Sequence, residues 1–394
     1  MEEWKKYILG EIGKIVGGAT PSTKDRHNYD GNIAWITPKD LSTNKNRYIS
    51  CGERMISQKG LDSCSCSMLP PGSILFSSRA PIGYVAIAAN ELCTNQGFKS
   101  IVVNKEIADN IFIYYLLIYN RDYIAGLGSG TTFMEVSGKT MSEIQVSLPP
   151  LPVQKHIANI LSSLDDKIEL NRRINDNLEQ QAQALFKSWF VDFEPWGGKM
   201  PNDWKEGKLG ELCTCLLGGT PSREKKEYWN GDIPWINSGE VNKFRIVAGS
   251  ENITKLGMQK SATKLLPKKT TVIAITGATL GQVSLLEIDA CANQSVIGIL
   301  ENDLFPYEYI YPLITNNIQK IILNQTGGAQ QHINKENVES HSVIIPTART
   351  MEKYKNIQAP LFEFIAKNCF ESARLAQLRD TLLPKLMSGE LKIS

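Results

Sequence analysis

Two segments of the chain carry apolar residues at the alternating spacing of three and four that is typical of a helix packing along one face. In the first segment this face comprises Ile157, Leu161, Leu164, Ile168, Asn171, Asn175, Leu178, Ala182 and Leu185. In the second it comprises Ile357, Leu361, Phe364, Asn368, Glu371, Leu375, Leu378 and Leu382. We predict two long helices that pair with each other, whose register is fixed by the polar residues Asn171, Asn175, Asn368 and Glu371. The alternative is that each helix packs only on its own domain.

The segments before these helices show the pattern of short strands between turns. Runs of β-branched and aromatic residues at 33–37, 73–77, 100–104 and 271–276 are bounded by glycine, proline and asparagine, which is typical of strands. Apolar residues near 106–120 and 307–324 predict one further helix in each half. The pattern therefore indicates a mixed fold of the α+β class.

The whole arrangement occurs twice. Gly-Gly-Ala-Thr-Pro-Ser at 17–22 returns as Gly-Gly-Thr-Pro-Ser at 218–222, and Asn95-Gln96 returns as Asn293-Gln294. We predict two similar mixed α/β domains at 1–150 and 199–346, with a helix and linker at 151–198 and a second helix at 347–394. The two long helices would be antiparallel and form a coiled-coil spacer, with a pseudo-two-fold axis relating the two halves.

The predicted helices are long enough to act as a spacer. A helix of about 35–40 residues measures about 55–60 Å, and one turn of B-DNA measures about 34 Å. A duplicated domain on such a rod indicates two similar sites read at a fixed separation. Pro360 should kink the second helix or delay its start.

Composition restricts the alternatives only mildly. The net charge of +2 argues weakly against a nucleic-acid binder, although a basic face balanced by an acidic one would give the same total. No apolar run approaches the roughly 18–20 residues of a membrane span, and the N-terminal residues do not resemble a secretory signal. The eight cysteines do not suggest a disulfide framework. We therefore expect a cytoplasmic protein that makes no contact with a membrane.

Candidate catalytic and metal motifs in the sequence are incomplete. Ser-Gly-Lys-Thr at 137–140 resembles the end of a phosphate loop, but Phe133 stands where that motif needs glycine. The pairs Cys64/Cys66 and Cys213/Cys215 lack the spacing of zinc ligands and do not correspond in the repeat. The sequence thus favours a binding protein with no catalytic residues and no metal site.

The repeated motifs resemble the specificity (S) subunit of type I restriction-modification systems. The resemblance rests on Gly-Gly-Ala-Thr-Pro-Ser, Arg-Ala-Pro-Ile-Gly at 79–83, Asn95-Gln96, the stretch 148–171 and the helix ends at 189–196 and 378–390. It covers essentially the whole chain. Its departures are Gly277, where the first copy has Arg79, and a less regular stretch at 347–359.

This resemblance implies a non-catalytic subunit with two target recognition domains. Each domain would read one half of a split site in double-stranded DNA through the major groove, and the helices would set the unread gap. The helices would also dock two methyltransferase (M) subunits, and restriction (R) subunits would join them. No cofactor would bind this chain, and S-adenosylmethionine, ATP and magnesium would serve the partners.

Residues that read two different half-sites should differ between the copies, so shared residues such as Thr20, Pro21, Trp35 and Trp235 are assigned to the scaffold. In the first domain the DNA-binding candidates are Lys24, Arg26, Lys39, Ser78, Arg79, Lys99, Thr131 and Thr132. In the second they are Arg223, Lys225, Lys226, Lys243, Thr276, Gln282, Gln330 and Gln331. Arginine and lysine suit guanine edges and phosphates, and glutamine suits adenine. The alternative for each is a solvated surface residue.

Two other functions fit the same sequence. The chain could be the S-like subunit of a related system in which one polypeptide combines restriction and methylation. It could also be a scaffold whose duplicated domains bind protein. Salt-dependent DNA affinity would separate the last alternative from DNA recognition.

Overall fold

The structure is a computed structural model that describes residues 4–79, 81–130, 134–323 and 332–391. The chain forms two compact units, one made of Met1–Glu169 with Arg374–Ser394 and the other of Leu170–Ala373. Each unit contains one strand-rich repeat and a segment of each long helix.

The first repeat consists of short strands and short helices. Its strands are β1 (Lys5–Ile8), β2 (Gly13–Gly17), β3 (Tyr29–Ile36), β4 (Tyr48–Ile49), β5 (Met55–Ile56), β6 (Ile74–Phe76), β7 (Val85–Ala88), β8 (Cys93–Thr94), β9 (Lys99–Val103) and β10 (Gln145–Leu148). Its helices are α1 (Leu9–Ile12), α2 (Pro38–Thr43), α3 (Gln58–Asp62), α4 (Asn110–Tyr119), α5 (Arg121–Gly126) and α6 (Gly138–Glu143).

These strands form a five-stranded sheet in the order β2-β9-β6-β7-β4, a three-stranded sheet in the order β5-β3-β8, and the pair β1-β10. Strands β3 and β8 run parallel, with Trp35 opposite Cys93. One face of the larger sheet packs on α4, because Ile74, Phe76 and Ile101 share a fully buried cluster with Phe112.

The second repeat follows a long helix, α7 (Leu151–Phe190). Its strands are β11 (Lys205–Lys208), β12 (Cys215–Leu217), β13 (Trp229–Ile236), β14 (Glu251–Ile253), β15 (Leu265–Leu266), β16 (Thr271–Ala274), β17 (Val283–Leu285), β18 (Ala290–Ala292), β19 (Val296–Ile299) and β20 (Ser342–Ile345). Its helices are α8 (Leu209–Leu212), α9 (Lys255–Gln259), α10 (Tyr307–Leu323) and α11 (Lys335–Glu339), and a second long helix, α12 (Ala348–Met387), follows them.

The sheets of the second repeat follow the same plan. Their strand orders are β12-β19-β16-β17, β14-β13-β18-β15 and β11-β20. Strands β13 and β18 run parallel with Trp235 opposite Cys291, as Trp35 and Cys93 do in the first repeat. The predicted mixed fold with two similar domains is confirmed.

The two long helices pack against each other within each unit. In the first unit, Leu386 and Met387 of α12 share a buried cluster with Ile157 and Leu161 of α7. In the second unit, Phe362 of α12 is buried together with Ala182 of α7. Residues near the end of α12 thus contact residues near the start of α7, and a residue near the start of α12 contacts one near the end of α7. The helices are therefore antiparallel where they pack, and the predicted pairing is confirmed.

The predicted apolar face of the second helix is partly wrong. Ile357, Phe364 and Leu378 are nearly half exposed, whereas Gln358, Phe362 and Ile365 are fully buried. The buried face therefore lies one position away from the predicted one in the first half of α12. The prediction selected apolar residues only, and it therefore missed the buried face because Gln358 on that face is polar. Helix α12 also begins well before Pro360, so this proline does not delay its start.

Candidate nucleic-acid interface

The glycine-rich turn of the first domain is held against β8 by a set of short contacts. The indole nitrogen of Trp35 donates to the carbonyl of Ala19 at 3.0 Å, and the hydroxyl of Thr20 donates to the side-chain oxygen of Gln96. A Cβ atom at Gly18 would lie 2.2 Å from the carbonyl oxygens of Thr94 and Asn95. Only glycine allows this approach, which leaves Thr20 and Gln96 exposed at the surface.

The second domain repeats this arrangement with the corresponding residues. Trp235 donates to the carbonyl of Gly219 at 3.2 Å, and Thr220 donates to Gln294 at 2.5 Å. A Cβ atom at Gly218 would lie 2.2 Å from the carbonyl of Asn293. Both tryptophans are at most 4% exposed, so their assignment to the scaffold is confirmed. The repeated sequence therefore forms the same local structure in both domains, and the residues around it differ between them.

Arg79 and Lys99 of the first domain converge on one carboxylate. The ammonium group of Lys99 lies 3.0 Å from Glu135, and the guanidinium group of Arg79 lies 3.7 Å from it. Arg79 remains 38% exposed, while Lys99 is only 14% exposed. Arg79 is therefore available to a ligand at the cost of a weak ion pair, and Lys99 is available only if Glu135 moves.

The sequence comparison places Gly277 opposite Arg79, and the structure corrects this: Thr276 occupies in the second domain the place that Arg79 holds in the first. The residues before them make equivalent backbone contacts, since Ser78 donates to Gly97 at 2.8 Å and Ile275 donates to Ser295 at 3.0 Å. The two domains thus present an arginine and a threonine at the same point. Gln282, beyond this turn, is half-buried, and its amide oxygen is buried without a partner in the described part of the chain.

The prediction for Ser78 does not agree with the structure. Its side chain is fully buried, and its backbone is tied into the sheet edge by contacts to Gly97 and Val136. A hydroxyl in this position cannot reach a ligand at the surface, so Ser78 belongs to the scaffold. Four other candidates, Thr131, Thr132, Gln330 and Gln331, lie outside the described residues.

Lys39 and Lys243 lie in the segments that follow β3 and β13, and both are paired with acids. Lys39 lies 2.6 Å from Glu53 at an exposed site, and the hydrogen bond to Glu53 raises the pKa of Lys39. Lys243 lies 2.9 Å from Glu240. Glu240 is itself buried because it caps the turn that begins at Asn237, so Lys243 serves partly to neutralise a structural carboxylate.

The remaining basic candidates lie on the exposed segments just after the two turns. Lys24 and Arg26 are exposed in the first domain, as are Lys225 and Lys226 in the second. Lys225 lies over the ring of Tyr228, 5.3 Å from its centroid. Arg223 packs on Trp229 at 3.7 Å and forms two contacts with Glu251. These positions surround the Thr-Pro-Ser turns.

The four predicted register residues lie together in the second unit. Asn368 donates to Asn175 at 2.9 Å, and Asn171 donates to Glu371 at 2.7 Å. Asn171 is fully buried, and Asn175 and Asn368 are each 4% exposed. These residues thus form a hydrogen-bonded polar layer between the two helices of the second unit.

Sequence reasoning missed a buried arginine in the first domain. Arg47 is 6% exposed and pairs with Asp166 of α7 at 2.5 Å. Its guanidinium group also lies 3.4 Å from the hydroxyl of Tyr115, which in turn donates to Asp165 of α7 at 2.5 Å. Asp165 accepts a further contact from Arg379 of α12 at 2.6 Å. Together these groups fasten the domain to both helices.

The second domain has the same anchor, built around Arg245. This residue is 4% exposed, donates to Glu179 of α7 at 2.8 Å and to Tyr311 at 3.1 Å, and lies 3.8 Å from Glu287. Burial alone would lower the pKa of Arg245, but its attraction to Tyr311 and Glu179 outweighs burial and raises it. Arg47 and Arg245 are separated by the same interval as Gly83 and Gly281, and this spacing could have revealed them.

Each unit therefore carries a strand-rich domain, anchored to two helices, with a turn that displays polar and basic side chains. In the described part of the chain, no group of three His, Cys, Asp or Glu side chains is arranged to hold a metal ion. None of the helices within the described ranges is long and apolar enough to cross a membrane. The arrangement defines a duplicated recognition protein.

The chain belongs to the family of type I restriction-modification DNA specificity domains, which matches residues 1–180 and 201–379. It is 32% identical over 409 residues to the specificity subunit of the type I restriction enzyme MjaIX from Methanocaldococcus jannaschii, covering 100% of this chain and 94% of that relative. It is 27% identical over 472 residues to the HindI specificity subunit from Haemophilus influenzae, covering 99% of this chain and 100% of that relative.

The fold agrees with this assignment. The crystal structure of a type I restriction-modification S subunit from M. genitalium matches with a TM-score of 0.65 and 16% identity, covering 100% of this chain and 97% of that one. The chain is thus a DNA-recognition subunit and not an enzyme, as its family membership establishes.

Proposed function

We propose that the chain recognises a split site in double-stranded DNA, with each domain reading one half-site and the paired helices setting the gap. The observation that carries this proposal is the combination of a repeated framework with unlike exposed residues. The Trp–turn–Gln arrangement is the same in both domains, whereas Arg79 is replaced by Thr276 at an equivalent point. Two domains with the same framework but different exposed residues are suited to bind two half-sites that differ in sequence.

The long helices are suited to hold the partner subunits. Ile357 and Phe364 in the second unit and Leu378 in the first are each at least 45% exposed, although they belong to a paired helix. Large apolar side chains in such positions favour a protein partner. Two methyltransferase subunits docked on the helices, with restriction subunits joining them, would supply the S-adenosylmethionine, ATP and magnesium chemistry that we assign to those partners.

Selection of DNA from a random pool tests this proposal. The chain, purified together with its methyltransferase partner, should enrich duplexes that carry two short conserved blocks separated by a constant gap. Arg79→Ala should relax one block and leave the other unchanged, and binding should weaken steeply as salt rises. A single block, or affinity that does not depend on salt, would contradict the proposal.

A further inference from the structure

The first domain places an exposed guanidinium group on an aromatic ring beside its turn. Tyr29 is the first residue of β3, and its hydroxyl donates to the carbonyl of Pro21 at 2.7 Å. The guanidinium carbon of Arg54 lies 4.0 Å from the centroid of this ring. Arg54 is exposed, so the ring that holds the turn at Pro21 also orients a positive charge at the surface.

The second domain has the same construction made from other residues. Trp229 is the first residue of β13, and its indole nitrogen donates to the carbonyl of Ser222 at 3.1 Å. The guanidinium carbon of Arg223 lies 3.7 Å from the centroid of this ring. Again an aromatic side chain ties down the turn and supports an arginine at the surface.

The two arginines do not correspond in the repeat. Tyr29 pairs with Ile56 and Trp229 pairs with Ile253, so strand register places Arg54 at the position of Glu251. The position of Arg223 corresponds to Thr23 in the first copy. Each domain therefore places a guanidinium group on the ring at the start of its strand, Tyr29 or Trp229, but the arginine comes from a different segment in each domain. If only the ring were needed for the structure, there would be no reason for each domain to place an arginine on it from a different position in the repeat.

The partner of Arg223 in the free protein indicates which ligand this site takes. Both nitrogens of the guanidinium fork contact the carboxylate of Glu251, at 2.5 Å and 2.8 Å. This two-point geometry is the one that arginine also uses for phosphate. Glu251 therefore occupies the place that an anionic oxygen pair of a ligand would take. The first domain has Arg54 itself at the position of this acid.

Because the same group is presented by two domains that differ in their other exposed residues, it suits a feature that both half-sites share. The sugar-phosphate backbone is such a feature, and contacts to it position a protein without reading sequence. We propose that Arg54 and Arg223 each bind one backbone phosphate and dock their domain on the duplex. This inference rests on the proposed function.

Neutral replacements and modified DNA test the inference in the complex with the methyltransferase partner. Arg54→Gln and Arg223→Gln should each lower affinity about tenfold for specific and non-specific duplexes alike, reduce the slope of log affinity against log salt by about one, and leave both half-site sequences unchanged. Lys187→Gln, which removes a charge from a pair with Asp192 at the C-terminal end of α7, is the matched control and should change neither quantity.

Methylphosphonate substitution at single phosphates identifies the contacts. One neutral linkage in one half-site should weaken the wild-type chain and the Arg223→Gln variant but not Arg54→Gln, and a linkage in the other half-site should show the reverse. Glu251→Gln should increase affinity because Arg223 is released. Two results would overturn this inference alone. One is an altered base preference in Arg54→Gln, and the other is unchanged affinity of both arginine variants for the split site that the wild-type complex selects. Failure of the wild-type complex to select a split site would instead overturn the proposed function.

Discussion

The side-chain amide of Asn368 donates to the side-chain oxygen of Asn175 at 2.9 Å. Both residues are 4% exposed, and they join α12 to α7 within the second unit. Displacing one helix by a turn would leave two buried amides without partners, and each unpaired amide costs about 1–3 kcal/mol. The asparagine pair therefore selects one alignment of the helices.

Replacing one asparagine should be worse than replacing both. Asn368→Leu should lower the free energy of unfolding by about 1–3 kcal/mol, because Asn175 loses a buried partner. The double variant Asn175→Leu/Asn368→Leu should recover most of this loss and should bind DNA with a less sharply defined gap. Urea denaturation measures the first effect and DNA selection the second. Additive losses in the double variant would mean that the two amides do not act as a pair.

Removal of the buried arginine anchor should destabilise the second unit strongly. Arg245→Met leaves Glu179 without its buried cation, while Glu287 keeps only Lys269, and this loss should lower the free energy of unfolding by about 3–5 kcal/mol. Lys335→Met, which breaks an exposed pair with Glu339, should change it by less than about 0.5 kcal/mol. Equal losses in the two variants, measured by thermal denaturation, would show that Arg245 is not an anchor.

Neutralising the carboxylate that holds Arg79 and Lys99 should strengthen DNA binding. Glu135→Gln releases both cations, so affinity should rise about tenfold at low salt and the increase should shrink as salt is added. Fluorescence anisotropy over a salt series checks this. Because Glu135 belongs to the first domain, the increase should require an intact first half-site. An equal increase on DNA lacking that half-site would argue against Arg79 as a specific contact.

Lengthening the helix pair should change the gap but not the half-sites. Seven residues inserted after Asn171, with seven more after Phe370 in the facing helix, preserve the packed faces and add about 10 Å. This length corresponds to about three base pairs of B-DNA. The selected DNA should therefore keep both blocks and widen the gap by about three base pairs. An unchanged gap would contradict the role of the helices as a ruler.

Cys66 should react with alkylating agents at a lower pH than an ordinary thiol. Its pKa is lowered, chiefly by a hydrogen bond from Cys93, so the reactive thiolate persists as pH falls below the usual value of 9.0. Burial raises the pKa of Cys213 to about 12, which makes that residue the internal control. Mass spectrometry after brief iodoacetamide treatment at pH 7 should find Cys66 modified and Cys213 intact. The opposite order would contradict the Cys66–Cys93 contact.

The repeat and the helix pair could be predicted from sequence because they depend on periodic features. Trp35, Trp235 and the glycine turns recur at a nearly constant interval, and Asn171, Asn175 and Asn368 interrupt an apolar face at positions that require a partner. The buried face of α12 could not be predicted correctly because Gln358 is polar and buried, so burial there does not follow the apolar pattern.

The contact surface is harder to predict because it depends on residues that are distant in sequence. The residue type of Ser78 suits a DNA contact, yet its neighbours in the sheet bury it completely. Arg54 is absent from the predicted contacts because the arginine that plays the same part in the second domain, Arg223, lies at a different position of the repeat. Comparing the two copies position by position cannot detect a group that reaches the same ring from two different segments.

Long-read sequencing of a host with and without the gene, with the methyltransferase partner expressed in both, shows most directly whether this chain directs recognition of a split DNA site. We expect one methylated motif, with two blocks and a constant gap, to be present only when the chain is present. A methylation pattern that is the same in both hosts would contradict this role.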